Sequence, residues 1–315
     1  MIVLILVVLT IYLLINKWMK KKSDSLRCLM GKTAIVTGGN SGAGYGIATL
    51  LASRGCKVII ADCVNGENSR DEIIRKTQNP NVSYKYVDLS SLKTVREFCE
   101  GIKISEKKID ILINNAAIGL STNKMTADGL NHVMQVNFFG AFLLTHLLLE
   151  PLKNADGARV IFVSSATALL HNLRMENLNL TDYPHTVSYI KQFYANSKLC
   201  NIMAARVFAK RLKKYGITAY SVDPLLVGSQ LFRKFFEFVV EKLWKICMMV
   251  CMNEVEAAET YLHLASSEKL DNSSGGHYAA CSKMFIPRIL KNEQFCEEIW
   301  DETEKLVKLE PEERL

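Results

Sequence analysis

Short runs of β-branched and apolar residues alternate with amphipathic stretches along most of this chain, from Gly31 onward. The short runs predict strands, and the stretches between them predict helices. Strands are predicted at Thr33–Val36, Lys57–Ala61, Ser83–Val87, Ile109–Ile113, Arg159–Val163 and Thr218–Val222, with helices such as Tyr45–Arg54 and Leu92–Lys103 between them. Regular alternation of this kind is typical of an α/β fold with helices on both faces of a parallel sheet. We therefore expect a doubly wound parallel sheet in a single domain over residues 30–290.

The first 19 residues break this alternation, because they are largely apolar. A basic cluster, Lys17 and Lys20–Lys22, closes the apolar run. A cleaved signal peptide carries its positive charge before the apolar region and a small-residue cleavage site after it, and neither is present here. We interpret residues 1–19 as a membrane anchor helix and residues 20–29 as a basic juxtamembrane linker, with the following domain on the cytosolic side.

Two later segments also fall outside the alternating pattern. Residues 229–253 mix many apolar side chains with charged ones, which fits either a core helix or a substrate cap that also touches the bilayer. Residues 291–315 are charged and helical in pattern, and we expect them to form a solvated C-terminal tail.

Charge and cysteine content narrow the classes of partner. The formal net charge is +7, but no basic run is interleaved with aromatic residues as in a nucleic-acid-binding surface. A membrane surface is the better partner for the basic cluster. The nine cysteines are dispersed, without a CxxC pair or metal-ligand spacing, which indicates reduced thiols and predicts no metal site.

A glycine-rich loop, Thr37-Gly-Gly-Asn-Ser-Gly-Ala-Gly44, follows the first predicted strand. Gly38 permits a tight turn, Gly42 and Gly44 permit close approach of the backbone to a cofactor, and the helix N-terminus attracts a pyrophosphate. This placement predicts a Rossmann-type dinucleotide site. Its loop contacts are assigned to Gly38, Asn40, Ser41, Gly42, Ala43 and Gly44.

Asp62 ends the second predicted strand, at the position that contacts the adenosine ribose in such sites. A carboxylate there accepts both ribose hydroxyls and repels a 2′-phosphate. Neither Ser41 nor Cys63 supplies the Arg or Lys that a 2′-phosphate would need. Both observations favour NAD over NADP.

Tyr194 and Lys198 are four residues apart and therefore share one face of a predicted helix. A neighbouring ammonium favours the phenolate, so a tyrosine with a reference pKa of about 10 can act as a base nearer neutrality. Together with the glycine-rich loop, this pair predicts hydride transfer at an alcohol or a carbonyl.

Further motifs follow in order: Asp88-Leu89-Ser90, Asn114-Asn115-Ala116-Ala117, Thr126-Ala127-Asp128-Gly129-Leu130, Val136-Asn137-Phe138-Phe139-Gly140 and Val163-Ser164-Ser165. With the loop and the Tyr194–Lys198 pair, they make the chain resemble the short-chain dehydrogenase/reductase family from about Gly31 to Trp300. The stretch Phe142–Glu150 is especially similar to the retinol dehydrogenase branch of that family.

The resemblance implies a role for each matching position. Ser165 would hydrogen-bond the reacting oxygen, with Ser164 as its rival, and Tyr194 would exchange the proton of that oxygen. Lys198 would lower the pKa of the tyrosine and hold the nicotinamide ribose, while Asn137 would support a water relay. The resemblance implies further cofactor contacts at Asp88, Leu89, Asn115, Ala116, Tyr194, Lys198, Val227 and Ser229.

Three positions depart from the family pattern. The family usually has glycine at Ala117 and at Leu225, the latter beside the nicotinamide, and a leucine held at positive φ there would be strained. Retinol dehydrogenases of similar pattern often carry Arg at the position of Cys63 and prefer NADP, whereas Asp62 with Cys63 favours NAD here.

We therefore predict a membrane-anchored oxidoreductase that oxidises a lipophilic alcohol (retinol-like, isoprenoid, steroid or long-chain) with NAD as cofactor and Tyr194 as general base. NADP use stays open. One alternative is an NADPH-dependent reductase of retinal or of lipid aldehydes and ketones. Another is a catalytically weak cofactor-binding scaffold, which Leu225 alone favours. The resemblance also implies the endoplasmic reticulum membrane as the location and is compatible with a homodimer.

Overall fold

The computed structural model of the chain describes residues 20–119, 121, 124–184, 186–225 and 252–315. The predicted anchor, the predicted contacts Val227 and Ser229, and all of the cap segment except residues 252 and 253 lie outside these ranges. Within the described ranges, no helix combines the length and the apolar character that crossing a membrane requires.

An eight-stranded sheet forms the centre of the described structure, in the order β3-β2-β1-β4-β5-β6-β7-β8. The strands are β1 Thr33–Thr37, β2 Lys57–Asp62, β3 Val82–Tyr86, β4 Ile111–Asn114, β5 Arg159–Val163, β6 Thr218–Val222, β7 His277–Ala279 and β8 Ser282–Lys283. All pairs are parallel except β7 with β8, so the predicted doubly wound parallel sheet is confirmed. The strand order reverses between β1 and β4, and in such sheets a ligand crevice opens at the carboxyl ends of the strands at that point.

Helices cover both faces of this sheet. They are α1 Gly42–Ser53, α2 Glu67–Thr77, α3 Leu92–Ser105, α4 His132–Met134, α5 Gly140–Leu147, α6 Leu149–Lys153, α7 Val187–Leu212, α8 Glu254–Ser266 and α9 Glu293–Leu306. A π-helical turn, Gln135–Phe139, joins α4 to α5. One apolar core lies between the sheet and α1 and α8, and a second lies between the sheet and α3, α5, α7 and α9.

The strand predictions succeed where strands are buried on both faces. Strands β5 and β6 have the predicted bounds. All residues of β1 are buried, and a strand that is buried on both faces is recognisable in the sequence as a mostly apolar run. Strands β3 and β4 are displaced by one or two residues from the prediction. Strands β7 and β8 were missed because they have only three and two residues, too few to show a period.

The C-terminal segment is helical as predicted, but it is not a solvated tail. Its helix α9 buries the side chain of Trp300 completely. The Trp300 ring lies 4.6 Å from the ring of Phe142 and 4.7 Å from that of Phe208, measured between centroids. The Arg211 guanidinium lies 4.4 Å from the Trp300 ring centroid. Most of the charged residues that dominate the sequence pattern lie on the outer face of α9, while the buried Glu304 carboxylate accepts the Trp300 indole N–H at 2.7 Å.

Residues 20–29, predicted as a basic linker, lie against the domain and are called here the N-terminal strap. At its start, the Lys20 ammonium pairs with the Glu256 carboxylate at 3.0 Å, in the first turn of α8. Near its middle, the buried Ser25 hydroxyl donates to the Ser266 carbonyl at 2.9 Å, at the end of α8. The strap therefore follows α8 along its whole length.

The direction of the strap places its first residue at the ligand edge of the sheet. Helix α1 leaves the carboxyl end of β1. The start of α8 lies beside α1: a Cβ added to Gly46 of α1 would be 2.1 Å from the carbonyl oxygen of Glu254, the first residue of α8. Lys20 is therefore at the carboxyl edge of the sheet. The strap descends from there to the amino edge, where the chain enters β1.

Candidate active site

The three side chains predicted for proton transfer lie together at the carboxyl edge of the sheet. Tyr194 and Lys198 are on α7, and Ser165 follows the end of β5. The Ser165 and Tyr194 side chains share a hydrogen bond. The Lys198 ammonium lies 5.4 Å from the centroid of the Tyr194 ring. Both α7 residues are buried, at 7% and 2% exposure, so the hydroxyl pair and the ammonium share a site that largely excludes water.

The two neighbouring serines have different environments. Ser164 is buried, and its hydroxyl donates to the Lys198 carbonyl at 2.7 Å, which joins β5 to α7. Ser165 is partly exposed, and its hydroxyl oxygen accepts the Thr167 amide at 3.2 Å. Ser165 is therefore the serine that faces the crevice together with Tyr194.

A hydrogen-bonded network lies beneath the ammonium. The Lys198 Nζ donates to the Val163 carbonyl at 3.1 Å. The Asn201 side-chain amide donates to the same carbonyl at 2.9 Å and to the Asn137 carbonyl at 3.0 Å. Asn137 lies in the π-helical turn, and its side-chain amide exchanges hydrogen bonds of 2.9 and 2.8 Å with the backbone of Ile118. Lys198 and Asn137 are therefore linked through Asn201.

Sequence reasoning missed Asn201. A signal was present, because Asn201 stands three residues after Lys198 and thus on the same face of the helix. What the sequence does not show is that the Asn201 amide reaches across to carbonyls of β5 and of the π-helical turn.

Burial dominates the electrostatics of this pair. It raises the pKa of Tyr194, with a further contribution from the Asp223 carboxylate, while the hydrogen bond with Ser165 opposes the shift. Burial lowers the pKa of Lys198 to about 8, and Asp223 opposes that change. Desolvation of the phenolate is the largest effect on the pKa of Tyr194 in this structure, and the lowering of that pKa by Lys198 stays a prediction.

The glycine-rich loop forms a closely packed turn between β1 and α1. Gly38 has φ +64°, and a Cβ on it would lie 2.8 Å from the Ala116 Cα. Gly42 also has positive φ, at +56°. A Cβ on Gly44 would lie 2.1 Å from the Gly38 carbonyl oxygen, so the absence of a side chain at Gly44 lets the helix pack closely on the loop, and the approach of a cofactor there stays a prediction.

The start of α1 fits a phosphate. Ser41 precedes the helix in an extended conformation and makes no side-chain capping bond, so the first helical amides keep their donors for a ligand. The Asn40 amide donates to the Asn65 carbonyl at 3.1 Å and braces the loop from outside. Ala43 packs against the small cluster formed by Met252 and Ala257. The loop thus has the shape and the free donors that a dinucleotide pyrophosphate requires.

Asn115 and Ala116 close the floor of the crevice between β1 and β4. The Asn115 side-chain amide donates to the Thr37 carbonyl at 2.9 Å. The Thr37 hydroxyl oxygen accepts the Asn115 amide at 2.9 Å and the Ala116 amide at 3.0 Å. The Tyr261 hydroxyl, from α8, donates to the Asn115 side-chain oxygen at 3.5 Å.

The predicted adenosine end carries two carboxylates. Asp62 is partly buried at the end of β2, and its Oδ1 accepts the Val64 amide at 3.1 Å. Asp88 accepts the Ser90 amide at 2.8 Å, next to the buried Leu89. Burial and then both carboxylates raise the pKa of the Cys63 thiol, so the two negative charges act on one small region. That field suits ribose hydroxyls and opposes a 2′-phosphate.

The two glycine departures differ in consequence. Leu225 has φ +60°, so the expectation of a left-handed leucine is confirmed. Its amide donates to the Asp223 Oδ1 at 2.8 Å. Ala117 is not among the residues with positive φ and carries no such strain. Within the described ranges, no group of three or more His, Cys, Asp or Glu residues could hold a metal ion.

Comparison with known proteins follows the same motifs. A family model described as short chain dehydrogenase matches residues 32–177. Retinol dehydrogenase 12 from Bos taurus is 38% identical over 275 residues, which span 87% of this chain and 85% of that protein. Retinol dehydrogenase 11 from Homo sapiens is 36% identical over 275 residues, which span 87% of this chain and 85% of that protein.

Solved structures share the fold. An uncharacterized protein from Mycobacterium paratuberculosis aligns with a TM-score of 0.69 at 25% identity, covering 89% of this chain and 94% of its own. A short chain dehydrogenase from Shigella flexneri, complexed with NADP, aligns with a TM-score of 0.65 at 18% identity, covering 81% of this chain and 99% of its own.

Proposed function

Because the chain belongs to the short-chain dehydrogenase/reductase family of NAD(P)-dependent oxidoreductases, we propose that it oxidises a lipophilic alcohol with NAD, using Tyr194 as the general base. The observation that carries this proposal is the Ser165–Tyr194 hydrogen bond above the buried Lys198 ammonium, at the edge of the sheet where the glycine-rich loop lies. With an alcohol bound to Ser165, this arrangement would put a base within hydrogen-bond reach of the hydroxyl proton.

Each residue has a defined part in the proposed reaction. Ser165 donates to the alcohol oxygen and holds it against Tyr194. Tyr194 removes the hydroxyl proton as a hydride leaves the carbinol carbon, and the bound nicotinamide supplies the hydride acceptor. Lys198 balances the phenolate charge, and its links through Asn201 to Asn137 give the proton a polar route away from the site.

The proposed preference for NAD depends on Asp62. Its carboxylate, with that of Asp88 nearby, supports recognition of ribose hydroxyls. The double substitution of Asp62→Ala with Cys63→Arg should transfer the preference to NADP. If NADP were already the preferred cofactor, the substitution would change little.

Exposed apolar residues support a lipophilic substrate. Leu169 and Leu170, shortly after Ser165, are 51% and 73% exposed. Val187 and Tyr189, at the start of the helix that carries Tyr194, are 40% and 42% exposed. The Gln192 side-chain amide donates to the Leu170 carbonyl at 2.9 Å and joins the two groups. Clustered exposed apolar side chains of this kind mark interaction sites for lipids or other apolar partners.

The relatives' names point to retinol as the first alcohol to test.

The N-terminal strap supports delivery of that substrate from a membrane. The strap holds Lys20 at the carboxyl edge of the sheet, where the candidate active site lies. The apolar residues 1–19 join the domain at this point. We propose that residues 1–19 anchor the chain in the endoplasmic reticulum membrane, with the catalytic domain in the cytosol. A homodimer stays a prediction.

One observation favours the reverse reaction as a second candidate. Because burial raises the pKa of Tyr194, the side chain is a phenol near neutrality. A phenol is the form that donates a proton to a carbonyl oxygen while a hydride arrives at its carbon. An NADPH-dependent reductase of retinal or of lipid aldehydes and ketones would use this form.

The test uses the full-length protein in detergent. All-trans-retinol with NAD or NADP, and all-trans-retinal with NADH or NADPH, would be followed in parallel by nicotinamide absorbance. Tyr194→Phe should abolish turnover, while Tyr215→Phe, an exposed tyrosine just beyond the far end of α7, should retain it. NAD-linked oxidation lost only in Tyr194→Phe supports the proposal. Faster reduction with NADPH supports the second candidate, and unchanged activity of Tyr194→Phe refutes both.

A further inference from the structure

We propose that Asp223 is a positioning residue that acts in two ways: its carboxylate holds Leu225 in the left-handed conformation, and its charge sets the pH range in which Tyr194 works. The proposal rests on the proposed role of Tyr194 for its second half only. Asp223 follows β6 directly, and its own amide donates to the Tyr278 carbonyl at 2.8 Å, which continues the sheet by one residue.

The first role follows from the geometry of the turn. The Asp223 Oδ1 accepts the Leu225 amide at 2.8 Å, across Pro224. This is an Asx-turn, in which an aspartate side chain replaces a backbone acceptor. Leu225 has φ +60°, a conformation that brings the Cβ of an L-residue too close to a carbonyl oxygen. The hydrogen bond from the Leu225 amide to the Asp223 carboxylate therefore stabilises a left-handed conformation that is unfavourable for leucine by itself.

The leucine side chain connects this turn to the cofactor loop. Leu225 packs against Met252 and Ala257, and Ala43 of the glycine-rich loop packs on the same cluster. A change of conformation at Leu225 would therefore displace the apolar support of the loop. Binding of the dinucleotide then depends on a carboxylate that is not itself assigned to contact it.

The second role follows from the position of the charge. Asp223 is 6% exposed and directly follows Val222, whose carbonyl accepts the Ser164 amide at 2.7 Å, so Asp223 lies beside the end of β5 that carries Ser165. The titratable groups that face it are Lys198 and Tyr194 on α7 and Tyr261 on α8, and its negative charge raises the pKa of each. The amides of Leu225 and Ala166 favour its carboxylate form, although burial raises its pKa. The charge of Asp223 thus supports the Lys198 ammonium and opposes the Tyr194 phenolate.

Three variants of the full-length protein separate the two roles. Asp223→Asn keeps an acceptor for the Leu225 amide and removes the charge. Asp223→Ala removes both, and Asp223→Ala combined with Leu225→Gly removes both but makes the left-handed turn free of strain. Two measurements need no substrate: NADH affinity by fluorescence titration, and Tyr194 ionisation by ultraviolet difference absorbance against the same protein carrying Tyr194→Phe. Urea unfolding confirms that each variant is folded.

The expected results are distinct. Asp223→Ala should lose roughly 5- to 30-fold in NADH affinity. This is the factor by which the population of the left-handed conformation falls when a non-glycine residue must adopt it without the side-chain bond. Adding Leu225→Gly should recover most of that loss. Asp223→Asn should bind NADH within about threefold of the wild type, and its Tyr194 should ionise at lower pH. Where an alcohol is turned over, the acidic limb of kcat/KM should move in the same direction.

Either half can be refuted separately. Failure of Leu225→Gly to restore NADH affinity would overturn the positioning of the turn. Ionisation of Tyr194 at an unchanged pH in Asp223→Asn would overturn the role of the charge. Failure of the proposed function would instead appear as absent turnover of lipophilic alcohols by the wild type, with these two measurements unaffected.

Discussion

Gly44→Ala should disable cofactor binding, because the glycine-rich loop leaves no room for a methyl group. The added Cβ would lie 2.1 Å from the Gly38 carbonyl oxygen and 2.5 Å from the Asn115 side-chain nitrogen. Both atoms are restrained, since the Asn115 amide is hydrogen-bonded to the Thr37 carbonyl at 2.9 Å. A carbon needs about 3.5 Å from such atoms, so the loop must move by more than 1 Å.

The magnitude follows from that displacement. Overpacking costs about 1–3 kcal/mol of stability, which exceeds the gain of about 0.5–1 kcal/mol from replacing a helical glycine by alanine. A displacement of about 1 Å in a positioning loop costs on the order of 100-fold in activity. We expect the NADH affinity of Gly44→Ala to fall at least tenfold, measured by fluorescence titration, and its free energy of unfolding in urea to fall by up to about 2.5 kcal/mol.

Two other glycines serve as matched controls. Gly101, in α3, has nothing within 4 Å of an added Cβ, so Gly101→Ala should gain about 0.5–1 kcal/mol and bind NADH normally. Gly46 would place its Cβ 2.1 Å from the Glu254 carbonyl oxygen, outside the loop, so Gly46→Ala should lose stability with a smaller loss of affinity. Wild-type NADH affinity in a folded Gly44→Ala would refute the steric reasoning.

Three further outcomes are expected. Trp300→Ala should lower the free energy of unfolding by about 3–5 kcal/mol in urea, whereas the exposed neighbour Asp301→Ala should change it by less than about 0.5 kcal/mol; equal effects would contradict the burial of α9. Burial lowers the pKa of His146 and of His277 to about 4, below the unfolded value of about 6.5. The free energy of unfolding should therefore be highest above about pH 6.5 and fall toward pH 4 by up to about 3 kcal/mol per histidine. In urea titrations at several pH values, His146→Leu should show a weaker dependence on pH. Leu170→Asp should leave the free energy of unfolding within about 0.5 kcal/mol of the wild-type value. It should reduce the turnover of retinol in liposomes more than the turnover of a short water-soluble alcohol. An equal reduction for both alcohols would exclude a role of Leu170 in lipid contact.

Most of the fold could be predicted because the central strands are buried on both faces. In β1 and β5 a run that is mostly β-branched and apolar leaves little choice of structure or position, and β6 combines Thr, Tyr and Val with buried small residues. Strand β7, with three residues, offers no such run and is specified by its pairing with β6. The inner face of α9 was overlooked although its signal was present: Cys296, Ile299, Trp300 and Thr303 recur at helical spacing among the charges.

The candidate site was predictable in its membership and less so in its electrostatics. Spacing alone places Tyr194 and Lys198 on one helical face, but it does not show that α7 is buried around most of its circumference. That burial raises the pKa of Tyr194, an effect that the spacing does not reveal. Asn201 was not found because its role depends on atoms far away in the sequence, such as the Val163 carbonyl that it meets. Asp223 was missed although an aspartate before a proline is a local turn signal, and its bond reaches only to the amide of Leu225.

The docked strap also determines how the site would search for its substrate. Ten residues behaving as a free coil would let the domain turn over a span of roughly 16–19 Å, with the crevice facing any direction. The contacts of Lys20 and Ser25 with α8 remove that freedom and hold the crevice at the edge of the domain where Lys20 lies. With residues 1–19 as the proposed anchor, encounter would be a two-dimensional process governed by the effective concentration of alcohol within the lipid, and solubility in water would cease to limit the rate.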